Sequence, residues 1–214
     1  KDNYRNKMDV IFRRSGHTTN TRLNELISNS HDQNAKNFNI EIFDTHIEIW
    51  DDGNGMDFND IEDKFMTNYN DHDKTDNETH GMAGFGSFPA ILGLSYINGY
   101  QPVNFKTKKK NGSTWEWCED FKDQYDNNHN EHDLPEKGIW EKETNSGLSI
   151  KLPYSKILHT DLINKIFNEE YLKNYPETKN DLRKLFGKSP ININLIDHTN
   201  SKNNYSINNE NKYN

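Results

Sequence analysis

The sequence predicts an α/β (α+β) two-layer sandwich, a mixed, mainly antiparallel sheet with helices on one face. Three observations carry this expectation. Short apolar runs with period-two alternation recur, as in IEIF, HIEIW, LSIKL and ININLI, and several stand a turn's length apart. Other apolar stretches, over 21–36 and 87–94, have helical spacing or helix-compatible continuity. The two kinds do not follow strict strand–helix–strand alternation, so hairpin strands covered by helices on one side are the natural layer solution.

Taken in order, residues 21–36 place Leu23, Leu26 and Ile27 at helical spacing with polar residues between. Asn39–Phe43 and Thr45–Trp50 read as two strands joined by a tight turn. Asp51–Met56 is a Gly-rich loop and Asp60–Met66 a short helix, followed by a polar stretch over Thr67–Thr79 without periodicity. His80–Gly86 is again Gly-rich. It leads into an apolar helix over Ser87–Leu94, with Pro89 near the first turn, where proline is tolerated. Strands are expected at Gln101–Thr107, Thr114–Glu119, Gly138–Glu143, Leu148–Leu152 and Ile191–Ile196, with an acidic loop over Lys122–Asp133. Asp161–Tyr175 and Thr178–Phe186 read as helical, and the chain from Thr199 onward as a polar, frayed tail.

Composition bounds the function. The 214 residues suit one domain, over 1–190, with 191–214 as the start of a following domain plus a polar tail. Hydrophobic content is only 31% and mean hydropathy −1.13, but the apolar residues cluster in runs, which indicates a folded domain with long polar loops rather than disorder. A net charge of −8 gives no sign of a nucleic-acid footprint across the whole domain and disfavours direct DNA binding by it. The one dense basic patch, Lys106 with Lys108–Lys110, adjoins Asn111-Gly112 and reads as a solvated hairpin tip. Cys118 is alone, which fits a reducing, intracellular compartment, cytoplasmic or nuclear. No run approaches the ~20 apolar residues of a membrane span. The chain begins with Lys1, as a fragment or processed chain would.

Three short stretches carry chemistry. In ELISNSHDQNA, Glu25, Asn29 and Asp32 fall within about 60° of one another on a helix, either as a polar outer face or as a stripe aimed at a ligand. A carboxylate and a carboxamide one turn apart suit a hydrated Mg²⁺. In DDGNGM, Gly53 and Gly55 let the chain turn sharply after a strand, and Asp51 at the strand end can accept a hydrogen bond from an exocyclic amine, unless the motif is a plain Asp-Gly turn. In HGMAGFG, Gly81, Gly84 and Gly86 precede an apolar helix, where exposed amides make a phosphate cradle. A fourth element, GLSI at Gly147–Ile150, opens a late strand.

In order and spacing these four elements resemble the GHKL (Bergerat-type) ATPase superfamily, which includes gyrase-type topoisomerases, the heat-shock chaperone of that fold, histidine kinases, MutL and the nearby MORC ATPases. ELISNSHDQNA resembles its N box, and DDGNGM, HGMAGFG and GLSI its three glycine motifs, over residues 21–152. The resemblance implies ATP and Mg²⁺ as cofactors. It implies Glu25 as the general base on the attacking water, Asn29 as the Mg²⁺ ligand, and Asp32 as a further site residue. Asp51 would hold the adenine amine, Gly53 and Gly55 would shape its pocket, and Met56 would pack on the purine. The segment Gly81, Met82, Ala83, Gly84, Phe85 and Gly86 would cradle the phosphates. The polar stretch over 67–79 would be the lid, with Lys74 able to reach a phosphate.

Two residues depart from the family pattern. Gln33 stands where a small Ala usually follows the N-box Asp, and Leu148 where a Thr usually supports the adenine-binding Asp, with Ser149 one place late. Glu25 favours the hydrolysing branch, MORC- or chaperone-like, because histidine kinases place Asn there. That branch implies a nucleotide-gated clamp, a homodimer on ATP binding, and DNA or a client protein reached through other domains. Relatives there complete the γ-phosphate site with a Lys or Arg from a following domain, so turnover by this chain alone is expected to be slow. The alternatives are a nucleotide-binding scaffold without catalysis and an interaction domain that has lost nucleotide.

The remaining clusters read as structural. His129 and His132, near Asp126 and Asp133, form a solvated loop or an incomplete metal set. Trp115, Trp117 and Tyr125 read as cross-strand and core packing rather than a base-stacking surface.

Overall fold

The computed structural model describes residues 5–6, 19–66, 87–129, 131–166 and 191–207. Helix α1 (Thr19–Asp32) is followed by strands β1 (Asn37–Ile42) and β2 (His46–Asp51). A short helix α2 (Phe58–Asp60) continues as a π-helical turn, Ile61–Met66. Then come α3 (Ser87–Ile97), β3 (Val103–Lys108), β4 (Thr114–Glu119), α4 (Phe121–Asn127), β5 (Glu136–Lys137), β6 (Gly147–Pro153), α5 (Lys156–Asp161), β7 (Asn192–Asp197) and β8 (Tyr205–Ile207).

The strands form one eight-stranded sheet in the order β5-β4-β3-β6-β2-β1-β7-β8. Every neighbouring pair is antiparallel except β1 with β7. This is the mixed, mainly antiparallel α/β class that the sequence predicts. Register explains the core. Leu195, Ile40, Ile49, Ile150, Phe105 and Trp117 lie side by side across six strands, all on one face and all buried. Leu23, Leu26 and Ile27 of α1, Ile91 and Leu94 of α3, and Leu158 of α5 complete the same core. Each fully buried Ile or Leu contributes roughly 1.5–3 kcal/mol.

The opposite sheet face is polar. Lys142 Nζ lies 2.9 Å from Glu48 and 4.9 Å from the Trp50 ring centre, and Trp50 Nε1 donates to Glu41 at 2.6 Å. This explains one difference from expectation. Gly138–Glu143 is not a strand, because past Gly138 N, which donates to Thr114 O, Lys142 reaches over the polar face instead of extending the edge. Two further differences concern the chain after β4. Residues 122–133 contain α4, capped by Asp120, whose side chain accepts from Asp123 N. Thr199 onward includes a 3₁₀ turn, Ser201–Asn203, and β8, ordered around Asp197. The strand expected at Ile191–Ile196 is β7, and it pairs with β1 within the same sheet.

The aromatic residues pack as the sequence suggests: Trp117 stacks on Phe105 at 4.9 Å, Trp115 tilts against Phe58 at 5.1 Å, and Tyr125 stacks on Tyr100 at 4.8 Å. His129 and His132 do not converge on one point. His129 bonds Asp123 and His132 bonds the fully buried Glu119, each at 2.8 Å.

Candidate functional site

A cavity of about 480 Å³ opens between the C-terminal half of α1, the end of β2, the loop after it, the start of β6 and the turn after β3. Asp51 is central to it. Alternation along β2 turns Ile47, Ile49 and Asp51 to the helix side, so the last inward position of the strand is a carboxylate rather than an apolar group. It is buried, with Oδ2 accepting from Ser30 Oγ at 2.7 Å and Oδ1 from Gly53 N at 2.9 Å. Burial pushes its pKa up to about 6, against the pull of those two hydrogen bonds and of the Leu148 backbone N–H.

The loop after β2 is pinned on three sides. Asp52 accepts from the backbone of Lys36 and Asn37 at 2.7 and 2.8 Å and from the Asn37 amide at 2.7 Å. Asn54 N donates to Gln33 O at 2.9 Å, tying the loop to the end of α1. At Gly55, φ is +65° and a Cβ would stand 1.9 Å from Lys108 O, so only glycine fits where the loop crosses β3. Gly147 meets the same constraint against Asp51 O, at 2.0 Å.

Thr107 braces the loop from behind the cavity lining. It is fully buried on β3, accepts from Met56 N at 2.9 Å and donates to Gly147 O at 2.8 Å, so one hydroxyl joins the loop to the start of β6. Thr107→Val keeps the shape but leaves a buried N–H and C=O unsatisfied, at a cost of about 1–3 kcal/mol. A lowered urea midpoint with unchanged m-value is the expected readout.

The structure brings together only some of the sequence-derived candidates. Asn29 lines the cavity beside Asp51, Gly55 and Met56, and Gly53 is buried in the loop that frames it. Glu25 lies one turn before Asn29 on α1 and is exposed. Asp32 is exposed outside the lining, 3.6 Å from His31 Nδ1. Ser149 does not reach the cavity: strand alternation pairs Leu148 with Asp51 on the inner face and Ser149 with Trp50 on the outer, where Ser149 Oγ donates to Glu48 at 2.6 Å. Lys74 and the segment Gly81, Met82, Ala83, Gly84, Phe85 and Gly86 lie outside the described residues.

Sequence reasoning missed Ser30 and Thr107, although signals for both exist. Ser30 follows Leu26 by four residues on the buried stripe of α1, and Thr107 continues the inward alternation of Val103 and Phe105. The basic hairpin tip is exposed as expected, and it also carries ion pairs. Lys109 bridges Asp57 and Asp60 at 2.7 and 2.9 Å, and both Lys109 and Lys110 line the cavity mouth. Among the described residues no helix is long and apolar enough to cross a membrane.

A family model described as "Histidine kinase-, DNA gyrase B-, and HSP90-like ATPase" matches residues 17–150. That span runs from α1 into β6 and takes in every element that lines the cavity. No curated protein matches the chain.

Proposed function

Because the chain belongs to the histidine kinase-, DNA gyrase B- and HSP90-like ATPase family, we propose that the cavity binds ATP and that the domain hydrolyses it as a nucleotide-gated dimerisation clamp. The observation that carries the reading is Asp51. A buried carboxylate has about four lone-pair sites, and Ser30 and Gly53 occupy one on each oxygen. The remaining sites can accept from an exocyclic amine at the closed end of the cavity. Gly53, Gly55 and Met56 then frame the purine, with Thr107 holding the frame in place of the hydroxyl that Leu148 lacks.

The donor chemistry suits a magnesium ion. Mg²⁺ keeps several waters and prefers one or two protein oxygens plus phosphate. Asn29 supplies one carboxamide oxygen at the cavity wall, and the nucleotide's phosphates and water would supply the rest. Bound there, the ion would neutralise phosphate charge. Glu25 orients the attacking water and takes its proton. Lys74 and the Gly81–Gly86 segment, with Met82, Ala83, Gly84 and Phe85, would contact the phosphates. Asp32 would support that end of the helix. A carboxylate at position 25 favours the hydrolysing branch, MORC- or chaperone-like, over a kinase, and with it a homodimer acting on DNA or a client protein through other domains.

Isothermal titration with Mg-ATP tests the reading. One saturable site is expected. Asn29→Ala raises the Kd roughly tenfold, about 1.4 kcal/mol, with Mg²⁺ present and leaves the metal-free titration unchanged. Absence of saturable binding overturns the proposal. Sedimentation of the same samples tests the clamp, which requires a heavier species at saturating nucleotide.

A further inference from the structure

The polar groups around Asp51 are nearly all committed to one another. The Ser30 hydroxyl and the Gly53 N–H both point into the carboxylate, the Asn54 N–H into Gln33 O, the Met56 N–H into Thr107, and the Thr107 hydroxyl into Gly147 O. Leu148, directly opposite Asp51, brings no polar side-chain atom. At this end of the cavity there is therefore a free acceptor, the carboxylate, but none of these donors is left to pair with a base.

Gln33 supplies what is missing. It is half-buried and lines the cavity. Its backbone is fixed at both ends, with its N–H donating to Asn29 O at 3.0 Å and its carbonyl accepting from Asn54 at 2.9 Å. Gly53 locates its side chain relative to Asp51: the position of a Cβ there is 3.0 Å from Asp51 Oδ1 and 3.2 Å from Gln33 Cβ. The carboxamide thus leaves α1 within a side chain's length of the carboxylate, with two N–H donors and one acceptor.

Resting on the reading of the cavity as a nucleotide site, we propose that Gln33 is the second base-reading side chain, its carboxamide N–H donating to the ring nitrogen beside the amine that Asp51 holds. The pair then selects a base edge with a donor next to an acceptor, as 6-aminopurines have. A 6-oxo purine presents the reverse order and meets the Asp51 carboxylate with its oxygen.

The test removes the ring acceptor rather than the protein group. ATP and 1-deaza-ATP, in which a C–H replaces that nitrogen, are titrated into the wild type, Gln33→Ala and Gln33→Met. The wild type is expected to prefer ATP by about tenfold, the worth of one hydrogen bond in a desolvated site. Both variants lose that preference by binding ATP more weakly while binding 1-deaza-ATP as before. Lys36→Ala, at an exposed residue outside the cavity lining, keeps the preference. A wild type that does not distinguish the two ligands overturns the inference, and so do variants that weaken both equally. A wild type that binds neither overturns the nucleotide reading itself, and this inference with it.

Discussion

In Asp51→Asn, ATP binding is expected to fall by about 100-fold or more, while the ligand-free protein becomes harder to unfold at neutral pH. The two effects have one source. The asparagine amide keeps the shape but has one accepting oxygen where the carboxylate has two. If that oxygen stays with Gly53 N–H, the amide NH₂ faces the incoming amine, donor against donor. If it turns to the ligand, Gly53 N–H is orphaned. Either loss amounts to about 3 kcal/mol, or roughly two orders of magnitude in Kd.

The stability effect has the opposite sign. The carboxyl titrates near 3.8 when unfolded and at about 6 in the fold, because burial penalises its charge. A raised folded value means that the folded state holds the extra proton between those limits. Its stabilising contribution is therefore complete below pH 4 and lost as pH rises through 6, a difference of up to about 3 kcal/mol. The variant has no proton to lose. Urea denaturation at pH 4 and pH 7 should show the stability gap between variant and wild type widening in the variant's favour. A gap that is the same at both pH values would sink the assignment of a strained carboxylate.

How far the sequence reached depended on which kind of constraint each residue obeys. Ile47, Ile49 and Asp51 were legible because strand alternation is local, and so was the loop glycine at position 55, because a turn after a strand is a local demand. Ser149 was misplaced because the choice between it and Leu148 is a matter of register: one residue decides which face of β6 each side chain takes. Thr107 escaped because its partners, Met56 and Gly147, are 51 and 40 residues away. Helix α4 was hidden by composition. Its acidic residues suggested a loop, whereas Asp120 caps the first turn, and Phe121 and Gln124, three apart, bury one face.

The same distinction governs Gln33 and the lysines. In sequence, Gln33 is only a departure from a small residue. In space it lines the cavity within a side chain's length of the carboxylate. Lys109 and Lys110 read as a solvated tip because the turn at Asn111-Gly112 is visible. Asp57 and Asp60, which draw Lys109 across to α2, are about fifty positions away.

Glu25→Gln is expected to lower the rate of ATP hydrolysis by roughly 10²–10⁴-fold, the usual worth of a positioned general base, with Mg-ATP affinity changed by less than about twofold, or 0.4 kcal/mol. The substitution preserves length and hydrogen-bonding reach but removes the proton acceptor. Glu25 is exposed on α1, so the exchange stays within about 0.5 kcal/mol of wild-type stability, and a lost rate cannot be assigned to unfolding. Asn29, one turn along the same helix, stays at the cavity wall, which keeps phosphate binding apart from proton transfer. Single-turnover hydrolysis with enzyme in excess over ATP isolates the chemical step from product release. This matters because product release rather than chemistry often limits steady-state turnover. A variant that hydrolyses ATP at the wild-type single-turnover rate would remove Glu25 from the chemistry. A variant that loses binding in step with rate would make it a ligand contact instead. Loss of rate with binding intact is the outcome that a carboxylate base on this helix requires.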